Sequence, residues 1–204
     1  FVQNIDIRYE LFPNPGEMIS IGTFYKSITD PIEMYLQITS ETPQLYYGNA
    51  QSATDVGVEL EFRKSLASLG MSRLLRNTSF NLNAALIKSE VNVGTQATNQ
   101  SQYRPLQGQS PYIINFGLYY NDEETGFSLN GAYNVFGPRI FTVGDKLFPS
   151  WFEMPRNSVD FQIAKKWGGK KHFETRLNIQ NALNSPFRIY QDNNSDNKIQ
   201  KQEA

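Results

Sequence analysis

Hydrophobic and polar residues alternate with a period of two along residues 112–136 (YIINFGLYYNDEETGFSLNGAYNVF), on both sides of a short turn. One alternate set is apolar and includes Ile114, Phe116, Leu118, Leu129 and Tyr133, while the residues between them are smaller or more polar. The acidic stretch 122–126 separates the two halves and ends in glycine. This pattern predicts a β-hairpin with one apolar and one polar face.

The same alternation recurs along the chain and predicts eight strands in an up-and-down order, with no helix long enough for a crossover. The predicted strands are 4–12, 18–28, 56–63, 80–86, 112–121, 127–136, 159–167 and 173–180. We expect long polar connections at 29–53, 89–111 and 137–156, and one helical turn in the link 65–77. From residue 181 onwards the chain is polar, and no further strand is predicted.

The predicted connections alternate between short and long, and aromatic residues flank the shorter ones. Outer-membrane β-barrels have this arrangement, with short turns on one side, long loops on the other and aromatic girdles at the interfaces. The sequence therefore favours an all-β, antiparallel, up-and-down transmembrane β-barrel. A soluble β-sandwich gives the same alternation and is the alternative. In the barrel, lipid contacts Ile114, Phe116, Leu118, Leu129, Leu177 and Ile179, and the interior contacts Asn115, Asn130, Asn178 and Gln180.

Composition narrows the possible functions. The 204 residues carry a formal net charge of −1, so a nucleic-acid partner is not expected. The chain has no cysteine, which excludes disulfides and thiol chemistry within it. It also contains no run of 18 apolar residues, so no transmembrane helix is predicted. A single histidine, His172, leaves no material for a Ser-His-Asp triad or a multi-histidine metal centre, and we expect no enzyme activity.

The chain begins inside a predicted strand. It enters its first predicted strand from the long-loop side and leaves its last predicted strand on that same side. A complete barrel of this kind has both termini on the short-turn side. We therefore expect residues 1–204 to be part of a larger barrel, without its earlier strands and its closing strand.

Four segments in one order resemble the C-terminal barrel of Bacteroidetes TonB-dependent outer-membrane receptors. They are RYELFPNPGEMISIGTFYKSITDPIE, GVELEFRKSL, RPLQGQSPYIINFGLYYND and NIQNALNSPFRIYQD, within residues 4–192. The resemblance implies a 22-stranded barrel plugged by a separate domain. It also implies active import of a nutrient, driven by TonB, ExbB and ExbD through the plug, and it says nothing about the substrate.

Five residues of the long connections are candidates for ligand binding, because aromatic and cationic side chains dominate binding energy in pockets. They are Tyr103, Arg104, Arg139, Trp151 and Arg156. Arg104 and Arg156 each lie beside a proline at a strand entry, so pinning a loop to the barrel is the alternative role for both. A soluble carbohydrate-binding β-sandwich would use the same exposed aromatic residues and is the alternative function.

The tail DNNSDNKIQKQE follows the spacing of a twelve-residue calcium loop. Oxygen ligands would come from Asp192, Asn194, Asp196, the backbone of Lys198, and Glu203. Asn197 replaces the usual glycine, although asparagine tolerates a left-handed backbone. The flanking helices of an EF-hand are absent, so a flexible polar loop is the alternative interpretation, and Ca²⁺ is the one cofactor that the sequence suggests.

Overall fold

The computed structural model describes residues 1–38, 42–70, 72–94, 103–145, 148–169 and 172–191. These residues form an all-β structure. In chain order the strands are β1 (Val2–Leu11), β2 (Met18–Thr29), β3 (Ile32–Ile38), β4 (Pro43–Asn49), β5 (Ser52–Ser65), β6 (Thr78–Asn92), β7 (Tyr103–Arg104), β8 (Tyr112–Asp122), β9 (Phe127–Phe136), β10 (Arg139–Thr142), β11 (Trp151–Glu153), β12 (Asn157–Trp167), β13 (Phe173–Ile179) and β14 (Ile189–Gln191). A short 3₁₀ turn (Leu66–Leu69) and helix α1 (Arg73–Arg76) lie between β5 and β6. Within the part of the chain that the structure describes, no helix is long and apolar enough to cross a membrane.

The main sheet is an antiparallel meander in the order β1-β2-β5-β6-β8-β9-β12-β13, with β7 added to the far end of β6. Each strand that the alternation predicted is present in it. Among the described residues, β1 and β13 each pair with one neighbour only, so the sheet is open at both edges.

The register sorts the sheet into two chemically different faces. Residues directly opposite each other share a face, and one such row runs through Ile19, Phe62, Leu82, Phe116 and Tyr133. On the other face a row of amides is hydrogen bonded across strands: Asn130 Nδ2 to Gln162 Oε1 at 3.3 Å, and Gln162 Nε2 to Asn178 Oδ1 at 2.8 Å. The predicted division into an apolar and a polar face is confirmed.

Because the meander is antiparallel, alternate connections lie at alternate ends of the sheet. The three long connections, 30–51, 93–111 and 137–156, therefore lie at one end, and the shorter ones lie at the other. At the shorter end, the Phe80 ring packs between those of Phe62 and Phe116 at tilted angles, with ring centroids 5.5 and 5.9 Å away. Tyr120 and Phe127 are 6.1 Å apart beside them. We call these five residues the aromatic belt.

The prediction that the long connections lack strands is wrong. The first holds the β3–β4 hairpin, the second holds β7, and the third holds β10 and β11. The prediction of no strand after residue 181 is also wrong, since β14 pairs with β11. These strands are only two to seven residues long. β3 pairs with β4 and β10 pairs with β11 within one connection, whereas β7 pairs with β6 and β14 pairs with β11. We call the group β3, β4, β7, β10, β11 and β14 the cap.

The most buried apolar residues gather at the cap end of the molecule. Tyr35, Ile140 and Val143 form one cluster, against which Phe152 packs. Ala50, Ala53 and Val91 form a second cluster at the junction of the cap with the main sheet. The core thus lies at one end of the sheet instead of across its faces.

Candidate functional site

The cap carries most of the residues that the sequence marks for ligand binding, because they lie on the long connections. Tyr103 and Arg104 form β7, Arg139 begins β10, and Trp151 begins β11. Arg156 lies directly before β12. The cap is therefore the candidate functional site, and its geometry depends on one buried ion pair.

Arg104 forms a bidentate ion pair with Glu33 of β3. Arg104 Nη1 and Nη2 each donate to one oxygen of the Glu33 carboxylate at 2.6 Å. The Glu33 side chain is fully buried, and that of Arg104 is 7% exposed. Glu33 also accepts hydrogen bonds from the Tyr35 hydroxyl at 3.1 Å and from the Gln107 backbone N–H at 3.0 Å. This carboxylate joins the first long connection to the second. Pinning of a loop to the barrel and ligand binding, the two roles considered for Arg104, both stay predictions.

Gln107 extends the same network to the third long connection. Its side-chain oxygen accepts from the Met34 backbone N–H at 2.5 Å, and its Nε2 donates to the Phe141 carbonyl at 2.6 Å. Strand β3 also runs beside Val143, whose N–H donates to the Met34 carbonyl at 3.0 Å. All three long connections therefore meet in one hydrogen-bonded unit.

Tyr35 lies at the centre of this unit. Its ring stacks on Tyr46 across the β3–β4 hairpin, with centroids 5.4 Å apart and planes 22° from parallel. Burial, together with the neighbouring Glu33 carboxylate, raises the pKa of Tyr35 to about 12. The hydroxyl therefore stays protonated, and it can donate its hydrogen bond to Glu33 throughout the physiological pH range.

Arg139 and Trp151 lie on neighbouring strands of the cap. Arg139 Nε donates to Glu153 at 2.7 Å, and its guanidinium lies 4.4 Å from the centroid of the Phe136 ring. Trp151 is half-buried between Thr142 and Gln191 in the register of β10, β11 and β14. Arg139 is thus held by both a carboxylate and a ring face, and part of the indole of Trp151 remains accessible.

Arg156 and Tyr103 differ in their exposure. The Nε of Arg156 is buried and has no hydrogen-bond partner among the described residues. Tyr103 is 55% exposed on β7. Of the five predicted residues, Tyr103 therefore presents the most ring surface to a ligand outside the cap.

Sequence reasoning missed several accessible residues on the β3–β4 hairpin. Tyr47 is 76% exposed, and Tyr46 and Leu45 beside it are also exposed. The apolar and polar residues of 32–38 do alternate, and this signal could have revealed β3. Glu33 and Gln107 carry no comparable signal, since their role depends on partners 71 and 34 residues away.

The polar face of the main sheet is a second place where charges converge. Arg8 donates to Glu61 at 2.7 Å, and Arg63 contacts the same carboxylate at 2.5 Å. A depression of about 350 Å³ on this face is lined by residues of five strands that are neighbours in the main sheet, β1, β2, β5, β6 and β8. Ser20, Asn83 and Asn115 are among these residues. This surface can hold water or a polar protein segment.

The predicted calcium ligands Asp192, Asn194, Asp196, Lys198 and Glu203 lie outside the described residues. Among the residues that are described, no group of three or more His, Cys, Asp or Glu side chains could hold a metal ion.

Comparisons of the chain with family models, with characterised proteins and with solved structures find no match.

Proposed function

We propose that this chain forms part of the barrel wall and extracellular loops of a TonB-dependent receptor in the bacterial outer membrane. In this proposal the apolar face of the main sheet contacts lipid, the polar face contacts a plug domain and water, and the cap faces outwards. The observation that carries the proposal is an apolar face that spans the meander without protein covering it in the described part of the chain.

The residues of that face are apolar yet accessible. Ile21, Val58, Leu60, Leu118 and Leu177 all lie on it, and each is exposed by more than a third. Soluble monomers rarely expose one continuous apolar patch larger than a few hundred Å². A hydrocarbon environment accounts for such a face, and the aromatic belt near the shorter connections matches the girdle of a membrane barrel.

The polar face supports the same assignment. The interior of a large barrel is wet, so amides and charges there can be satisfied by each other and by water. The amide row through Gln162 and the ion pairs of Glu61 lie on this face. The open edges of β1 and β13 are sites where further barrel strands would pair.

The cap supplies the surface on which a nutrient would bind first. Tyr46, Tyr47 and Tyr103 are exposed on it, while the buried Glu33–Arg104 pair holds the connections in place. Aromatic rings presented by a rigid support can bind a ligand with little loss of conformational entropy. Active uptake would additionally require the plug domain and the TonB–ExbB–ExbD complex, which the resemblance implies.

Detergent dependence tests the membrane assignment. We expect the purified chain, alone or within its receptor, to be monodisperse only in detergent or lipid, and to fractionate with outer membranes. A soluble carbohydrate-binding module, the alternative suggested by the exposed tyrosines, would be monodisperse without detergent. Monodisperse behaviour in plain buffer would overturn the receptor proposal.

Active uptake has its own test in the host organism. Import of the ligand should stop when TonB is deleted, while ligand binding to whole cells should persist. A gene that encodes these strands without a plug domain would remove the basis for active import.

Calcium binding by residues 192–203 remains part of the proposal. Titration of Ca²⁺ into the intact receptor should show one site that an Asp192→Ala, Glu203→Ala double variant lacks. Identical titrations of the two proteins would rule the site out.

A further inference from the structure

The link between β5 and β6 combines basic residues with exposed leucines. Residues 63–78, which comprise this link and the adjoining ends of β5 and β6, contain four basic residues, Arg63, Lys64, Arg73 and Arg76, and no acidic residue. The same link exposes two leucines, Leu69 by 67% and Leu74 by 65%. By contrast, the neighbouring residues 122–126 (DEETG) are mainly acidic and include no aliphatic or aromatic side chain.

Local hydrogen bonds hold the described parts of the link, 66–70 and 72–77, in a defined shape. Ser65 Oγ accepts from the Ala67 N–H, and Ser72 Oγ accepts from the Leu75 N–H, each at 3.3 Å. Thr78 Oγ1 donates to the Leu74 carbonyl at 2.7 Å and ties α1 to the start of β6. Leu74 is therefore exposed on a segment whose backbone is held in place by hydrogen bonds.

Three of the four cations of the link are already paired with carboxylates. Arg73 contacts Asp122 at 2.7 Å, Lys64 contacts Glu17 at 2.9 Å, and Arg63 contacts Glu61. The fourth, Arg76, is exposed, and its side chain has no hydrogen bond or ion pair among the described residues. Arg76 is thus the cation of the link that can receive an external anion.

The link lies beside the aromatic belt. Thr78, whose hydroxyl is hydrogen bonded to the Leu74 carbonyl, is directly opposite Tyr120 in the register of β6 and β8. The Tyr120 hydroxyl donates to Asp122 at 3.3 Å, and Asp122 is the partner of Arg73. Phe80, two residues beyond Thr78, is the central ring of the belt. Leu74 therefore lies at the short-connection rim of the sheet, beside the aromatic belt.

We propose that residues 66–70 and 72–76 form an interfacial anchor in the phospholipid headgroup layer on the short-connection side of the membrane. Leu69 and Leu74 enter the upper acyl region, and Arg76 donates to headgroup phosphate oxygens. Apolar residues next to a cation favour this layer, and arginine pairs with phosphate through its planar guanidinium. The inference rests on the proposed membrane function, since the anchor extends a lipid-facing surface.

Depth-dependent fluorescence quenching tests the anchor. Residues 1–204 contain no cysteine, and any cysteine elsewhere in the receptor is first replaced by serine. A fluorophore is attached to a Leu74→Cys variant in the receptor, which is reconstituted in phosphatidylethanolamine–phosphatidylglycerol vesicles with nitroxide lipids. We expect several-fold stronger quenching by a headgroup nitroxide than at a Glu123→Cys control in the acidic turn. A Leu118→Cys variant on the apolar face reports membrane embedding independently.

The outcomes separate the two proposals. Quenching at position 118 without quenching at 74 would overturn the anchor and leave the barrel assignment intact. Quenching at neither position would overturn both. The role of Arg76 is tested with the fluorophore attached at Ser68→Cys. Its quenching should fall in the Arg76→Gln variant and persist in the Arg76→Lys variant. Equal quenching in the two variants would contradict the phosphate contact.

Discussion

The cap and the main sheet bury their apolar residues in different ways. In the cap, Tyr35, Ile140 and Val143 are at most 7% exposed and pack against one another. In the sheet, Ile21 and Leu60 are 54% and 41% exposed, although they lie in the middle of paired strands. The cap resembles the interior of a water-soluble protein, whereas the apolar face of the sheet has no protein partner in the described structure.

This difference indicates which surroundings each region requires. Side chains of the cap stabilise the fold through contacts with other protein groups. Their substitution should therefore create cavities or unpaired charges. Apolar side chains on the sheet would gain theirs from lipid, which adapts to a change of shape but not to a charge. Four predictions test this contrast, beginning with the largest expected effect.

Removal of the Glu33 charge should destabilise the cap most. In Glu33→Gln, Arg104 would remain buried without its counter-charge, and breaking a buried pair in this way costs about 3–5 kcal/mol. Hydrogen exchange of the detergent-solubilised protein should show faster exchange in β3 and β7 while β8 and β9 stay protected.

The matched control is the double variant Glu33→Leu, Arg104→Leu, which removes both charges together. Its cap should recover much of the lost protection, because an apolar pair leaves no unpaired buried charge. Equal loss of protection in the cap and in β8 would contradict the separation of the two regions.

A charge on the apolar face should have the next largest effect. Leu118→Arg should destabilise the protein by about 2–4 kcal/mol if the residue lies near the bilayer midplane. Equilibrium unfolding from lipid vesicles gives the value. Asn130→Arg, on the polar face, is the control and should change the unfolding free energy little; similar effects at both positions would contradict the assignment of the faces.

Removal of a single methylene should change the unfolding free energy less than a charge does, and by different amounts in the two regions. Ile140→Val in the cap should cost about 0.5–1.5 kcal/mol, because it leaves a small cavity in a packed cluster. Ile21→Val on the sheet should cost less in lipid, since acyl chains fill the space. The comparison requires unfolding curves for both variants in the same vesicles, and a larger effect at Ile21 would reverse it.

Alkaline pH should weaken the cap alone, with no effect near neutrality. The pKa of Tyr35 is raised to about 12, whereas an unfolded tyrosine titrates near 10. The stabilisation is therefore complete below pH of about 10 and is lost as the pH rises towards 12. A difference titration at the phenolate absorbance band, wild type minus Tyr35→Phe, should show this late step; a midpoint near 10 would contradict it.

The sequence predicted the main sheet because each of its strands carries the period-two signal within itself. The hairpin of β8 and β9, for example, is readable from residues 112–136 alone. The shorter strands of the cap were missed because two to four residues are too few to show a period-two pattern. Strand β14, three residues long, pairs with β11 across more than thirty residues of chain.

The candidate site was predicted in part. Four of the five predicted residues lie on strands of the cap, and Arg104 lies in its buried ion pair; ligand binding there stays a prediction. Its partner Glu33 was not foreseen, because a carboxylate 71 residues away in a polar stretch carries no local signal. Residues 192–203, which hold the predicted calcium ligands, lie outside the described part of the chain.

The range of sequence separations in this structure also suggests an order of assembly. Along the meander, each strand pairs with the next strand of the main sheet, so pairing can advance one hairpin at a time across connections of 4 to 22 residues. The contacts of Glu33 with Arg104 and Gln107 join residues 71 and 74 positions apart, and they cannot form until β5 and β6 are in register. We therefore expect the cap to close only after the strands beneath it have paired, so that the surface of the cap forms late during folding.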